Sequence, residues 1–564
     1  MDFLENVKMW KEFPNLAPEL KAELESLDEK GLEEAFGANL EFGTGGMRGI
    51  LGVGTNRMNY YTVRKATLGF GRYLLNGNFD PKKGVVISYD NRYYSKEFAF
   101  DSADLLSSLG FKVYVFESLR ATPELSFAVR YLKAIAGIMI TASHNPKNYN
   151  GYKIYDENGC QLIPELASQV IDQINQIENI FAYNINPRKE LIEIIGHDVD
   201  VAYMKMVDTI RINKDLHPNF NITFTPLHGT GAVLGPTILK NNGFVVHPVE
   251  SQMINDPAFP NVSSSNPENK EAFDRAIEQG MFLNSKLVMA NDPDADRLGI
   301  AVLHNGKYQY LNGNEMAAVC FNYICEQYSE KGLFKPNSWL FTTNVSSPLT
   351  LEIAKKYGVN TYVGLTGFKY IGSQAAKIEG TGNYLYGFEE SYGCLIKDFV
   401  RDKDAMQAIL FFAEIEAYLE EVKGIDIIDY LDLIYKEYGY YYETQSNIYM
   451  EGLEGKAKIA KIMDYFRNNE PILKFDKIVR KEDNYLKLAY DYEVDRVVTS
   501  QIELDKSNVL KYFFQGGAWF VLRPSGTEPK LKIYFGTKGR NKDEALKLNK
   551  ELKDEVTKLL NAVL

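Results

Sequence analysis

Val85-Val86-Ile87-Ser88 opens the stretch on which the fold turns: a helical pattern over residues 96–109 follows it, Gly110 ends that pattern, and residues 112–116 make a second apolar run. Apolar residues at helical spacing between two short β-prone runs predict a strand, a helix and a second strand, with glycine at the helix end. The unit recurs as Ile222-Thr223-Phe224-Thr225, a helix over 233–241, Gly243 and a strand over 244–248. It recurs again as Leu340-Phe341-Thr342-Thr343, a helix over 348–356, Gly358 and a strand over 360–363. Three copies predict three related α/β domains.

Each copy leads to a further strand that runs straight into a polar loop. Residues 135–140 enter Thr141-Ala142-Ser143-His144-Asn145-Pro146, residues 287–290 enter Asn291-Asp292-Pro293-Asp294-Ala295-Asp296-Arg297, and residues 384–386 enter Gly387-Phe388-Glu389-Glu390-Ser391. Ligands of open α/β sheets collect beyond the carboxyl ends of strands, so three loops in equivalent positions are expected to face one shared cleft. From about residue 440 the chain changes character, with dense tyrosine and charge, strands over 518–522 and 531–535, and a closing helix from Asn541. This tail reads as a smaller α+β domain. Residues 8–34 carry helical periodicity broken by Pro14 and Pro18, and read as an appended helical segment.

The 564 residues suit three or four domains at roughly 150 residues each. Hydrophobic residues at 45% and charged residues at 24% exclude global disorder. A net charge of −12 argues against nucleic acid as a partner, so an anionic ligand must be met by a local basic pocket. Cys160, Cys320, Cys325 and Cys394 are too scattered for a disulfide framework or a zinc motif, which suits a reducing cytoplasm. Charged residues punctuate the first 25 positions and no apolar run is long enough to span a bilayer, so neither a signal peptide nor a membrane association is expected.

Asp292, Asp294 and Asp296 stand at alternate positions, a spacing that lets three carboxylates converge on one hard cation. An EF-hand loop is the competing reading. It fails because Arg297 stands where the sixth-position glycine is needed and Leu303 where the twelfth-position glutamate is. Directly after an apolar strand and beside Arg297, the loop suits Mg²⁺ held next to a phosphate. Ser143 lies at a strand end where the chain turns, without the glycines of a nucleophile elbow, and a phosphoryl-carrying serine fits better than a hydrolase dyad. His144 beside it reads equally as a structural histidine. Lys153 is placed to supply a cation or a proton. Glu389 and Ser391, flanked by glycines, suit the vicinal hydroxyls of a sugar. Arg523, Ser525, Gly526, Thr527 and Lys530 offer a guanidinium, hydroxyls, an ammonium and backbone N–H groups, the set a phosphate dianion needs. The Gly-rich stretch Gly43-Thr44-Gly45-Gly46-Met47-Arg48-Gly49 lacks Walker A spacing, leaving Arg48 as a cation near a reacting phosphate.

These loops, in this order along nearly the whole chain, resemble the α-D-phosphohexomutase superfamily and, within it, the phosphoglucomutase branch. The resemblance implies an α/β fold of four domains around a central cleft, three related mixed α/β-sheet domains followed by a smaller α+β C-terminal domain. The implied boundaries are 1–205, 206–308, 309–438 and 439–564. It casts Ser143 as the phosphoserine, Asp292, Asp294 and Asp296 as Mg²⁺ ligands together with the Ser143 phosphate, and Glu389 and Ser391 as sugar contacts. Thr366, Gly367 and Arg297 join the substrate contacts, and Arg523, Ser525, Gly526, Thr527 and Lys530 bind the non-reacting phosphate. Arg48, His144, Lys153 and Lys403 complete the catalytic set, with Lys153 and Lys403 as candidates for proton transfer.

The implied activity is reversible conversion of α-D-glucose 1-phosphate to glucose 6-phosphate through a phosphoserine enzyme, with glucose 1,6-bisphosphate as activator and intermediate. The partners expected are small-molecule sugar phosphates, without an obligate protein partner. One departure matters: the branch with dual mannose and glucose specificity has histidine two residues after the sugar-loop serine, and this chain has Gly393. Phosphomannomutase and phosphopentomutase activities of the same family stay open, as do a metal-dependent phosphatase and a non-catalytic sugar-phosphate sensor.

Overall fold

A computed structural model of the chain describes residues 3–43, 46–450, 452–492, 496–525 and 530–563. It divides into two compact units, the first of Met1–Gly313 with Phe368–Asp426 and the second of Asn314–Gly367 with Ile427–Leu564.

The first unit begins with three helices, Phe3–Glu12, Pro18–Ser26 and Glu29–Phe36. Pro18 opens the second helix, where its missing N–H costs nothing, and Asp28 caps the third by accepting from the Gly31 N–H. Their apolar faces, including Val7, Trp10, Leu20 and Leu24, close on Phe36, Val53 and Tyr61 in one small core.

A six-stranded sheet follows, in the order Gly46–Ile50, Tyr149–Tyr155, Ala136–Ile140, Val85–Tyr89, Val113–Phe116, Ile192–Ile195. The last four strands are mutually parallel and the first two antiparallel. Val85–Tyr89 and Ala136–Ile140 are buried at every position, as continuous apolar strands covered on both faces must be. A five-stranded sheet repeats the plan, in the order Lys307–Leu311, Leu298–His304, Leu287–Asn291, Asn221–Thr225, Val245–Pro248. Here too the three central-to-edge strands are parallel, and Leu298–His304 returns antiparallel beside Leu287–Asn291.

The first unit also holds the hairpin of Asn383–Glu389 and Gly393–Leu395, in which Glu389 pairs with Gly393. The strand is longer than the expected 384–386: it runs through Gly387 and Phe388, because the returning strand supplies their hydrogen bonds, so Glu389 ends a strand and the loop shrinks to residues 390–392. Helix Ala405–Tyr418 is buried on all sides, in keeping with its nearly uniform apolar sequence. Asp404 caps it by accepting from the Met406 and Gln407 N–H groups, which sets Lys403 just ahead of its first turn.

In the second unit, Ser338–Thr343 and Asn360–Gly364 pair in parallel, as the third copy of the strand–helix–strand unit requires. The tail forms a seven-stranded antiparallel sheet in the order Tyr440–Tyr449, Lys530–Gly539, Trp519–Pro524, Leu510–Phe514, Ile478–Asp483, Leu488–Tyr492, Val497–Gln501. Helices Gly452–Asn468 and Lys542–Val563 contribute Ile462, Phe466, Leu552, Val556 and Leu560 to the core against it.

Candidate active site

In the first unit the two predicted loops meet. The Ser143 hydroxyl, nearly buried, donates to Asp292 Oδ2 at 2.7 Å across 149 residues of sequence. Asp292, Asp294 and Asp296 are all buried, and each offers an oxygen such that the three lie within 4.8 Å of one another. These two loops and the sugar loop each hold one non-glycine residue in the left-handed region, Ser143 at φ +50°, Ala295 at +52° and Tyr392 at +68°. Such a conformation costs about 1–3 kcal/mol and persists only where the surroundings over-determine it.

Those surroundings are visible around Ser143. Its N–H donates to Thr141 Oγ1 at 2.8 Å, and the buried guanidinium of Arg92 donates to the carbonyls of Ser143, Asn145, Pro146 and Tyr149 at 2.6, 2.5, 2.8 and 3.1 Å. Arg92 is paired in turn with Asp90 at 3.3 Å, and Asp90 accepts from the Ser95 hydroxyl at 2.7 Å. Arg92 is not among the residues singled out from the sequence. A signal is present all the same: Tyr89-Asp90-Asn91-Arg92 is a fourth case of an apolar strand running into a polar loop.

The metal loop is braced from two sides. Asp292 Oδ1 accepts from the Asp296 and Arg297 N–H groups at 3.1 and 2.9 Å, and Asp294 accepts from the Thr122 hydroxyl at 3.0 Å. Thr230 donates through both its N–H and its hydroxyl to the Pro293 carbonyl, at 2.8 and 3.0 Å. Gly229 is what lets that segment come so near, since a Cβ there would lie 2.3 Å from the Pro293 backbone.

Burial, together with the charges of Asp294 and Asp296, pushes the Asp292 carboxyl well above the usual carboxylate range. Asp294 Oδ1 and Asp296 Oδ1 are buried without a hydrogen-bond partner. Three crowded carboxylates with unsatisfied oxygens are a poor arrangement for a bare protein and a good one for a hard divalent cation. The residues present therefore fit a metal ion with oxygen preference.

Two lysines stand against this acidic cluster. Lys153, on strand Tyr149–Tyr155, lies 3.0 Å from Asp294 and 3.7 Å from Asp296, and Lys403 lies 3.2 Å from Asp296 and 3.1 Å from Asp402. Burial pulls both ammonium groups down, but the carboxylates beside them outweigh it and the net shift is upward. Both are therefore held charged. Burial and the charges of Arg297 and Arg48 hold the His144 imidazole well below its usual range, and its Nδ1 lies 3.2 Å from Ser143 Oγ. Arg48 donates to Asn145 Oδ1 at 2.8 Å, and Arg297 pairs with Glu268 at 2.5 Å.

Glu389 is buried at the end of its strand and Ser391 half-buried in the turn after it. Gly393 faces the stem of Lys403 so closely that a Cβ would lie 2.0 Å from Lys403 Cδ. Any side chain at 393 must move that lysine. The Leu298 N–H donates to the Tyr392 carbonyl at 3.1 Å, and the Ala405 N–H to the Ala295 carbonyl at 3.2 Å, so the sugar loop, the Lys403 segment and the metal loop form one hydrogen-bonded body.

The second unit carries the remaining candidates. Arg523 lies on strand Trp519–Pro524 and donates to the Tyr534 hydroxyl at 3.4 Å, while Lys530 opens the strand opposite and the Ser525 N–H donates to its carbonyl at 2.9 Å. Gly526 and Thr527 lie outside the described residues. Thr366 and Gly367 follow strand Asn360–Gly364, and Thr366 Oγ1 is buried without a hydrogen-bond partner.

Comparison with known proteins identifies the family. Residues 39–181, 201–306 and 312–436 match the family models of phosphoglucomutase/phosphomannomutase alpha/beta/alpha domains I, II and III, and residues 455–555 match the C-terminal domain of the same family. The phosphoglucomutase of Staphylococcus epidermidis is 40% identical over 509 residues, 89% of this chain and 91% of that one. The phosphoglucomutase of Staphylococcus aureus is 40% identical over 524 residues, 92% of this chain and 93% of that one. Among solved structures, a putative phosphomannomutase from Thermus thermophilus has a TM-score of 0.67 at 20% identity, covering 93% of this chain and 99% of its own. Parafusin, a phosphoglucomutase from Paramecium in its open form, has a TM-score of 0.66 at 17% identity over 93% and 95% of the two chains. At such identities the two structures speak for the fold alone. The sequence matches go further: this chain belongs to the phosphoglucomutase/phosphomannomutase family.

Proposed function

We propose that the chain is a phosphoglucomutase, an isomerase that interconverts α-D-glucose 1-phosphate and glucose 6-phosphate through phospho-Ser143 and glucose 1,6-bisphosphate. The observation that carries the reading is the 2.7 Å contact of the Ser143 hydroxyl with Asp292, inside a triad of buried carboxylates. Mg²⁺ suits that triad, held by Asp292, Asp294 and Asp296 with an oxygen of the Ser143 phosphate, and when bound it supplies positive charge to the transferring phosphoryl group.

Phosphoryl transfer asks mainly for positioning and charge neutralisation. As the O6 hydroxyl of glucose 1-phosphate attacks phospho-Ser143, the bond from phosphorus to Ser143 Oγ breaks, a bond from phosphorus to O6 forms, and the proton given up by O6 ends on the departing Ser143 Oγ. The bisphosphate turns, Ser143 Oγ attacks the phosphorus on O1, and glucose 6-phosphate leaves with the phosphoserine restored. Lys153, Lys403, Arg48 and Arg297 offset the charge on the phosphoryl oxygens. Lys153 and Lys403, beside the carboxylates that would hold the metal, are also the candidates for proton transfer at the reacting oxygens. Glu389 and Ser391 hold sugar hydroxyls, with Thr366 and Gly367 as further substrate contacts. Arg523, Ser525, Gly526, Thr527 and Lys530 bind a phosphate. Four domains, 1–205, 206–308, 309–438 and 439–564, divide these tasks.

Four buried cysteines without a disulfide suit the cytoplasm, and no helix among the described residues is long and apolar enough to cross a membrane. The testing experiment compares initial rates on the 1-phosphates of glucose, mannose and ribose, with Mg²⁺ and a trace of glucose 1,6-bisphosphate. A kcat/KM favouring glucose by about tenfold, roughly 1.4 kcal/mol, supports the reading. Preference for mannose or ribose moves the substrate within the family, and release of inorganic phosphate without isomerisation overturns it. Chelation of divalent ions is expected to stop turnover.

A further inference from the structure

Residues 3–38 lie ahead of the segment matched by the first domain model, and nothing in the phosphate chemistry uses them. The first of their helices closes one side of a cavity of about 760 Å³ in the first unit. Met9 and Trp10 of the first helix line it, together with Met47 of strand Gly46–Ile50, Lys65 of helix Tyr60–Asn76, and Phe181. That volume lies in the range of sites for small organic ligands. The aromatic wall is built, not incidental: Trp10 meets Phe36, Tyr61 and Phe181 edge-on, with ring centroids 5.6, 5.2 and 5.3 Å apart.

Lys65 is the one cation among the described residues that line this cavity. It is half-buried, burial holds its ammonium below the ordinary lysine range, and no carboxylate lifts it back. Among the described residues nothing pairs with it, in contrast to Lys153 and Lys403. A half-buried cation without a partner carries a desolvation cost that a bound anion would offset.

We propose that this cavity is a second small-molecule site, one that takes an organic anion carrying a single negative charge on a flat apolar body. The aromatic and methionine side chains match the flat body, and Lys65 matches the charge. Glu5, Glu41 and Glu178 also line the cavity, and with one cation against three carboxylates the site disfavours polyanions such as sugar bisphosphates or nucleotides. The site also has a route to the reacting serine. Met47 is buried, and its neighbour Arg48 points to the other face of the same strand and reaches Asn145 in the Ser143 loop. A ligand against Met47 therefore bears on the strand that carries Arg48.

The test uses the full chain and the aromatic monoanion 8-anilino-1-naphthalenesulfonate as probe, titrated by fluorescence with and without saturating glucose 1-phosphate. The expected result is one equivalent bound, not displaced by glucose 1-phosphate, and weakened about tenfold or more by Lys65→Met but little by Lys65→Arg. Ile174→Trp, which fills the cavity and leaves Lys65 in place, is expected to abolish binding. Absence of binding, binding indifferent to both Lys65→Met and Ile174→Trp, or stoichiometric displacement by glucose 1-phosphate each overturns the proposal. None of these outcomes bears on the mutase assignment.

Discussion

Arg92→Lys keeps a positive charge beside Asp90 while removing the fork that holds the Ser143 loop. The guanidinium makes four hydrogen bonds to loop carbonyls, at 2.5 to 3.1 Å. Bonds from a charged donor are worth about 1.5–3 kcal/mol each, and a single ammonium can replace only one or two of the four, so two or three are lost and the loop loses roughly 3–9 kcal/mol of restraint. Ser143 is held at φ +50°, which by itself costs about 1–3 kcal/mol, so the loss is large enough to let the backbone relax. A shift of the nucleophile on the order of 1 Å costs about 10² in rate. The assay is steady-state turnover of glucose 1-phosphate, joined to intact-mass measurement of phosphate on the chain after incubation with glucose 1,6-bisphosphate. The expected result is a kcat lowered about a hundredfold, with KM changed by no more than about threefold and phosphorylation of Ser143 slowed in step. A variant that turns over within about threefold of wild type and phosphorylates at the normal rate would show that the four bonds do not position the serine.

Three further outcomes are expected. Ser143→Ala removes the phosphoryl acceptor and should abolish mutase turnover while leaving the circular dichroism spectrum unchanged; full activity in the variant contradicts the phosphoserine role. Gly393→Ala places a Cβ against the Lys403 stem and displaces its ammonium from Asp296, so kcat should fall by about 10- to 100-fold, and an unchanged kcat would mean that Lys403 acts elsewhere. Lys511 is buried in the second unit with its ammonium on the Asn344 carbonyl at 2.7 Å, and burial lowers its pKa to about 8. Since the unfolded value is higher, the unfolded chain binds more protons between these two pKa values, and stability rises as pH climbs through that window. The penalty is in full force below pH 8 and on the order of 3 kcal/mol before its ring contacts with Phe513 and Trp519 are set against it. Lys511→Met should therefore gain most over wild type at neutral pH, and the gap in thermal midpoint should narrow by about pH 10; a gap that stays constant refutes the assignment.

Much of the candidate site is legible in the sequence because its residues form local patterns with chemical meaning. Asp292, Asp294 and Asp296 mark a candidate cation site by spacing alone, and Ser143 stands at a strand end where a loop must turn. Arg523 and Lys530 are equally plain as candidate phosphate ligands. Arg92 is not legible in this way, because its four acceptors are backbone carbonyls of a segment fifty residues away, and a carbonyl has no sequence signature. Gly393 stands out in the sequence only as a departure from a family pattern. Its physical reason, the stem of Lys403 lying against it, appears only when residues ten apart in sequence fold back on one another across the hairpin.

The fold divides along the same line. Continuous apolar strands such as Val85–Tyr89 and Ala136–Ile140, each followed by a helix or a polar loop, declare a parallel α/β sheet by composition and period. The tail does not declare its seven strands, because strands such as Tyr440–Tyr449 and Val497–Gln501 mix tyrosine, charge and half-exposed positions, and their pairing depends on partners up to a hundred residues distant. By itself the sequence determined which residues are candidates to carry the chemistry, since charge and hydrogen-bonding capacity belong to the side chains. The tertiary structure alone decided which of them touch, which are buried, and which cations are held charged, because those depend on distances and solvent exposure that exist only once the loops have been brought together.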